Sequence, residues 1–290
     1  MNNKKYPISV ASYSFHGLLK EKKIDVFSYL QALRYRYNVD YADIWNGFFY
    51  KVIDFDLFKK VRKAMDDLGI ELANLCVDGP HIWDNDEAVR AKNYGEAFEY
   101  MKAGEILGAK TVRIDMGARD EGDIPEEKFE YIVKVYRELA EFAGDRGMRI
   151  GTENHWGSSR YPHNLQRVRD AVNHPAYGHL FHFGNFTDVN LGMETAVPMA
   201  MHTHISAESV PYAKEYIRRL VNAGYKGTFS VEHHSGQFEY ERVAWQLATV
   251  RGLITELCAE GFDKPAEPAY FNNIYKSVAV KNLENPILGM

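Results

Sequence analysis

The sequence predicts an α/β fold, a (β/α)8 TIM barrel in a single domain followed by a C-terminal extension. Three observations carry that prediction. Short β-rich runs alternate with stretches of helical periodicity, and the alternation occurs eight times from one end of the chain almost to the other. The 290 residues suit an architecture that needs roughly 250. The main competitor, an open doubly wound sheet, announces itself with a glycine-rich turn after its first strand. Here that segment reads SYSFHGLLKEKK, with neither GxGxxG nor GxxxxGKS.

Ile8 to Phe15 is the first strand candidate and Tyr41 to Trp45 the second. After Asp56, Leu57, Val61, Met65 and Leu68 recur at helical spacing, and Gly69 supplies a left-handed stop before the third strand, Ile70 to Val77. Tyr94 to Leu107 reads as a helix ending at Gly108, and Thr111 to Asp115 as the fourth strand. Pro125 opens a long helix with glutamates in its first turn, where the helix dipole favours them, and Gly147 closes it. Arg149 to Glu153 is the fifth strand and Leu180 to Phe183 the sixth. The sixth unit is the weakest, because NFTDVNLGMETAVPM permits only a short or irregular helix. Met201 to Ser206 precedes a helix from Tyr212 to Val221, and Thr228 to Glu232 precedes one from Glu239 to Leu257.

The barrel domain is thereby placed at 1–259 and the extension at 260–290. Pro265, Pro268, Pro286 and Asn272-Asn273 mark the extension as lying beyond the eighth unit. Its Phe271, Tyr275, Val278, Val280 and Leu283 predict a tail that packs on the barrel or on a partner subunit.

With 46% hydrophobic residues the chain can bury a large core. Forty acidic residues against 35 basic ones leave a formal charge of −5, which argues against a nucleic-acid partner. The start MNNKKYPISV has no apolar run, so the expectation is a cytoplasmic protein without a membrane partner. Cys76 and Cys258 lack metal spacing and read as buried thiols.

The histidines are the informative residues. Of 11, His81, His155, His182, His202, His204, His233 and His234 fall at or just after predicted strands, the end at which such barrels build active sites. Residues two apart on a strand share a face, so Glu153/His155, His202/His204 and Glu232/His234 form three inward pairs. Carboxylates crowded at one mouth repel one another unless a cation joins them, and imidazoles complete the shell of a divalent metal. A metal centre is the natural inference. Arg113 and Asp115 share a face and read as a buried ion pair, while Trp45, Trp83 and Trp156 lie where flat rings stack on sugars or anchor loops.

ISVASYSF, IGTENHWG, LFHFGNF, HTHIS and FSVEHH, taken in order at strands one and five to eight, resemble the xylose-isomerase-like barrel family. That family includes ketose 3-epimerases, hydroxypyruvate isomerases and inosose dehydratases, and the larger subunits of C-glycoside deglycosidases are similar. The resemblance implies one divalent ion, manganese first with Mg, Co, Fe or Zn as alternatives. It also implies ligands from strands five to eight: Glu153, His204 and Glu232 match, and His182 stands where relatives carry aspartate. A neutral His182 ligand leaves two formal negative charges and favours borderline ions over Mg2+; alternatively His182 points away and water fills its place.

The function implied is a metal-dependent sugar isomerase or epimerase that removes a proton beside a carbonyl through a stabilised enediolate. Glu153 and Glu232 are its acid and base by resemblance, with His155 a second base candidate from its place beside Glu153. His81, Trp156, Asn185, His202 and His234 are the substrate-binding candidates. The alternative is a lyase that uses the same deprotonation for β-elimination, on 3-oxo-glycosides or inosose-like substrates. A catalytically silent sugar-binding protein is a third reading, and a repair endonuclease is set aside by the charge. The expected partners are a small sugar or glycoside and, through the tail, a second copy or a small partner subunit.

Overall fold

The computed structural model describes residues 5–263. Eight parallel strands close into a barrel in chain order, with β1 (Ile8–Ala11) pairing both β2 (Tyr41–Trp45) and β8 (Phe229–Val231). Between them run β3 (Glu71–Val77), β4 (Thr111–Ile114), β5 (Arg149–Glu153), β6 (Tyr177–His182) and β7 (Ala200–Ile205). All but the outermost positions of these strands are buried, as expected for a parallel sheet that helices cover on its outer face.

The helices follow the strands. Two short ones, α1 (His16–Lys20) and α2 (Val26–Gln31), occupy the first crossover. Then come α3 (Phe55–Leu68), α4 (Glu87–Leu107), α5 (Glu126–Gly144), α6 (Pro162–Val172), α7 (Val189–Ala196), α8 (Val210–Asn222) and α9 (Glu239–Glu260). In α3, Phe58, Val61 and Met65 turn inward at helical spacing. Asp54 caps it by accepting the N–H groups of Asp56 and Leu57, and Gly69 ends it at φ +63°. The main core lies between the strands and this helical ring.

Several boundaries differ from expectation. The first strand stops at Ala11, and Ser12–Phe15 coil into a 3-10 turn that swings Tyr13 over the barrel mouth. The sixth strand starts at Tyr177 instead of Leu180, because Gly178 and His179 carry no β signal of their own. The close approach of β5 to β6 requires glycine at 151: a Cβ there would lie 1.9 Å from the Gly178 carbonyl oxygen. The fourth helix begins at Glu87, capped by Asp86, one and a half turns or more before its apolar face becomes readable. Cys258 is exposed on α9, which corrects the expectation of a buried thiol; Cys76 is buried. The expected packing of Phe271, Tyr275, Val278, Val280 and Leu283 lies outside the described residues. No helix among the described residues is long and apolar enough to cross a membrane.

Inside the barrel, hydrogen bonds replace the usual apolar layers. Asp43, 1% exposed on β2, accepts from His202, His204 and Ser230 at 2.8, 2.9 and 2.8 Å and from Asn74 at 2.9 Å. At the rim, buried Glu239 accepts the backbone N–H groups of Gly17 and Leu18, tying α1 to the start of α9. These ties fix the floor and one edge of the site.

Candidate metal centre

The loops after the strands enclose a cavity of about 600 Å3 at the C-terminal end of the barrel, the end where this architecture places its chemistry. Glu153, His182, His204 and Glu232, the last residues of β5 and β6, the fifth of β7 and the residue after β8, converge on it. His182 Nδ1 lies 3.1 Å from Glu153 Oε1 and 3.7 Å from Glu232 Oε2. His204 Nδ1 lies 3.5 Å from Glu153 Oε1 and 3.2 Å from Glu232 Oε2.

Those four His–carboxylate separations are the size that an ion's coordination shell sets, and the ligand atoms form two overlapping groups, Glu153–His182–His204 and His182–Glu232–His234. A tetrahedral divalent ion with bonds of about 2.1 Å sets its ligands about 3.4 Å apart. His204 sharpens the fit, since its Nε2 is held on Asp43 while its buried Nδ1 has no hydrogen-bond partner and faces both glutamates. A proton on Nε2, donated to Asp43, leaves the Nδ1 lone pair aimed at the centre, which is the usual arrangement for a metal-binding histidine. The donor set of two carboxylates and two imidazoles suits Mn2+, Fe2+, Co2+ or Zn2+.

Around this core the charges are tightly arranged. Arg113 donates to Asp78 at 2.7 Å and Asp115 at 3.1 Å, and its Nε lies 3.2 Å from Glu153 Oε2. The ion pair expected from Arg113 and Asp115 is therefore one edge of a four-residue cluster. Burial works against ionised Glu153, but His155, His182 and His204 outweigh it and hold its carboxyl well below the usual range. Burial likewise opposes ionised Glu232, and His204 and His234 outweigh it. Cys76 stays a neutral thiol, pushed up to about 12 by burial and by Asp43.

Two imidazoles flank the four converging groups. His155 Nδ1 lies 3.1 Å from Asp115 Oδ2, and His234 Nε2 lies 2.9 Å from Glu232 Oε2. Their side chains are 34% and 40% exposed. Burial lowers the affinity of each for a proton, yet Glu153 and Asp115 raise His155, and Glu232 raises His234, above the ordinary histidine value.

The other candidates sort by position. Trp156 lines the cavity, its ring 3.8 Å from that of His155. Asn185 also lines it, but its amide donates to the carbonyls of Asn154 and His155 at 2.6 and 3.0 Å, so it braces the wall. His202 is corrected from substrate contact to floor: it is 1% exposed and sits below the mouth on Asp43. His81 stands behind Trp156, bonded to Arg119, outside the cavity wall. Trp83 is a core residue. Asp43 escaped sequence reasoning; its one local signal was a charge between Ala42 and Ile44 in an otherwise buried strand.

No curated protein matches this chain. Among solved structures it is similar to a probable 3-DHS dehydratase, AsbF from Bacillus anthracis, at TM-score 0.66 and 12% identity over 84% of this chain and 98% of that one. It is similar to the 3-keto-D-glucoside 4-epimerase YcjR from E. coli at TM-score 0.65 and 14% identity over 87% and 100%. It is also similar to the IOLI protein with a bound zinc atom, at TM-score 0.66 and 14% identity over 89% and 100%. The family model for xylose isomerase-like TIM barrels matches residues 35–253. Most of the barrel falls within that match, and the chain belongs to the xylose isomerase-like TIM barrel family.

Proposed function

We propose that this chain is a divalent-metal-dependent sugar isomerase or epimerase that removes and returns a proton beside a carbonyl. The observation that carries the proposal is the convergence of Glu153 Oε1, His182 Nδ1, His204 Nδ1 and Glu232 Oε2 at 3.1–3.7 Å, with the His204 tautomer set by Asp43. A divalent ion held there supplies the positive charge that makes a carbon acid beside a carbonyl ionisable near neutral pH. The zinc bound by IOLI and the 4-epimerase YcjR support this reading by analogy of fold.

The protein's own groups divide the work. Glu153 is a ligand and a poor proton carrier, since it is 2% exposed, points Oε1 at the imidazoles and rests Oε2 against Arg113. His155 is the better base. Asp115 fixes its Nδ1, so Nε2 is the atom presented to the substrate, and its affinity for a proton is already raised. His234 mirrors it, with Nε2 on Glu232 and Nδ1 left for the cavity. Two imidazoles on β5 and β8 loops give one group to take the proton and one to return it.

The lyase reading, β-elimination from a 3-oxo-glycoside or an inosose-like substrate, uses the same first step. The room in the cavity favours it, because a leaving group must be housed beside the sugar. Both outcomes are tested by incubating Mn2+-loaded protein in D2O with ketoses, aldoses and 3-oxo-glycosides. Deuterium entering substrate or product at the carbon beside the carbonyl is expected, with a released aglycone marking elimination. No deuterium uptake on any of them overturns the proposal.

A further inference from the structure

We propose that this site takes an uncharged glycoside of two rings, the sugar beside the four converging ligands and the second ring on the Tyr13–Trp45 wall; the sugar's placement rests on the function proposed above. Three observations lead there. The cavity, about 600 Å3, is of the size that encloses drug-like molecules. Its metal-ligand side occupies β5 to β8, which leaves the β1 and β2 side for something other than the reacting sugar.

That second side is aromatic. Tyr13 and Trp45 meet edge to face at 5.1 Å, and the Tyr13 ring lies 6.0 Å from His234, so the aromatic wall begins where the reacting groups end. The ring of Trp45 is held in place from two directions. Its Nε1 donates to Asp78 at 2.7 Å, and Gly47 lies so close beneath that a Cβ there would sit 2.2 Å from the indole. A fixed flat face beside a sugar site is suited to stacking on a ring.

The charges argue against phosphate or carboxylate groups on the substrate. Among the described residues that line the cavity, Arg113 is the one Lys or Arg, and three carboxylates already engage it. TIM barrels commonly hold a phosphate at the loops after strands seven and eight. Here that corner presents Glu208, and Pro211 removes a backbone N–H from the first turn of α8. Lys51 rides 5.8 Å over Trp45 from outside the cavity wall.

The test is calorimetric titration of Mn2+-loaded protein with 4-nitrophenyl glucoside in both anomers, glucose and glucose 6-phosphate. One aryl anomer is expected to bind about tenfold more tightly than glucose, the gain that stacking on two rings supplies, with glucose 6-phosphate no tighter than glucose. Trp45→Leu and Tyr13→Leu should each remove about threefold of that gain, with Mn2+ affinity unchanged as evidence of an intact fold. Equal binding of aryl glucoside and glucose, tighter binding of the phosphate, or an aryl gain that survives both substitutions overturns the inference. Deuterium uptake is scored separately. An aryl preference without uptake on any substrate retires the deprotonation reading and keeps this one, whereas uptake on monosaccharides without aryl preference does the reverse.

Discussion

Replacing Asp115 by asparagine isolates the proton-transfer role of His155. Asp115 Oδ1 accepts the Glu153 backbone N–H at 3.2 Å, and Oδ2 receives Arg113 and His155, each at 3.1 Å. An asparagine keeps its carbonyl on the Glu153 N–H, because Arg113 retains Asp78, Glu153 and the Val77 carbonyl as partners. The new NH2 then donates to His155 Nδ1, and the ring proton moves to Nε2, the atom needed as base. Recovering the working tautomer costs a charge-assisted hydrogen bond, about 1.5–3 kcal/mol. The carboxylate that steadies the imidazolium is lost as well, so a total near 3 kcal/mol lowers kcat about 100-fold. The assay is the rate of deuterium uptake on the best substrate found, beside Mn2+ affinity measured on the same preparation. Mn2+ affinity and KM should stay within about threefold, since none of the four ligands changes. A variant that exchanges within about threefold of the parent rate refutes the assignment of His155 as base.

Three further outcomes follow from the same geometry. His182→Ala removes one ligand of four and should weaken Mn2+ or Zn2+ at least about tenfold, about 1.4 kcal/mol; unchanged metal content after purification without chelators excludes His182 from the shell. In the metal-free protein, burial opposes protonation of His204 and His234, but Glu232 outweighs it for both, with Asp43 adding at His204 and Glu208 at His234. Because these folded values lie above the ordinary one of about 6.5, their stabilisation is full below that pH and is lost as pH rises through the folded values. The metal-free Tm should therefore fall as pH rises above about 6.5, and Mn2+ should raise Tm most at the alkaline end; a metal-free Tm that climbs as pH rises from there contradicts the network. Gly151→Ala drives a Cβ to within 1.9 Å of the Gly178 carbonyl oxygen and should cost about 3 kcal/mol or more in urea unfolding, whereas an unchanged midpoint refutes the β5–β6 register.

Much of this was legible because parallel barrel strands are buried on both faces and read as short apolar runs. Tyr41–Trp45 and Arg149–Glu153 end where the sequence places them. Caps were readable where one residue performs the task, as at Gly69 and Gly108. What failed was context. Gly178 and His179 lack β character, and their strand pairs with β5 at a close approach that Gly151 permits. Glu87 to Lys92 belongs to a helix whose first turns face solvent and show no periodicity.

The site divides the same way. Same-face pairing placed Glu153, His155, Glu232 and His234 at one mouth from spacing alone. Spacing could not tell that His204 stands a layer above His202, with the latter below the substrate level. Nor could it find Asp43, which meets its histidines 159 and 161 residues away only when the barrel closes. The contact of Arg113 was hidden for the same reason: the arginine on β4 reaches Glu153 on β5 only in the folded sheet.

The convergence of four side chains on one ion is tested most directly by anomalous scattering from crystals of this protein soaked in manganese. A single strong peak is expected at the barrel mouth, about 2.0–2.2 Å from Glu153 Oε1, His182 Nδ1, His204 Nδ1 and Glu232 Oε2. A mouth without such a peak, with both glutamates and His204 bonded to protein groups alone, would contradict it.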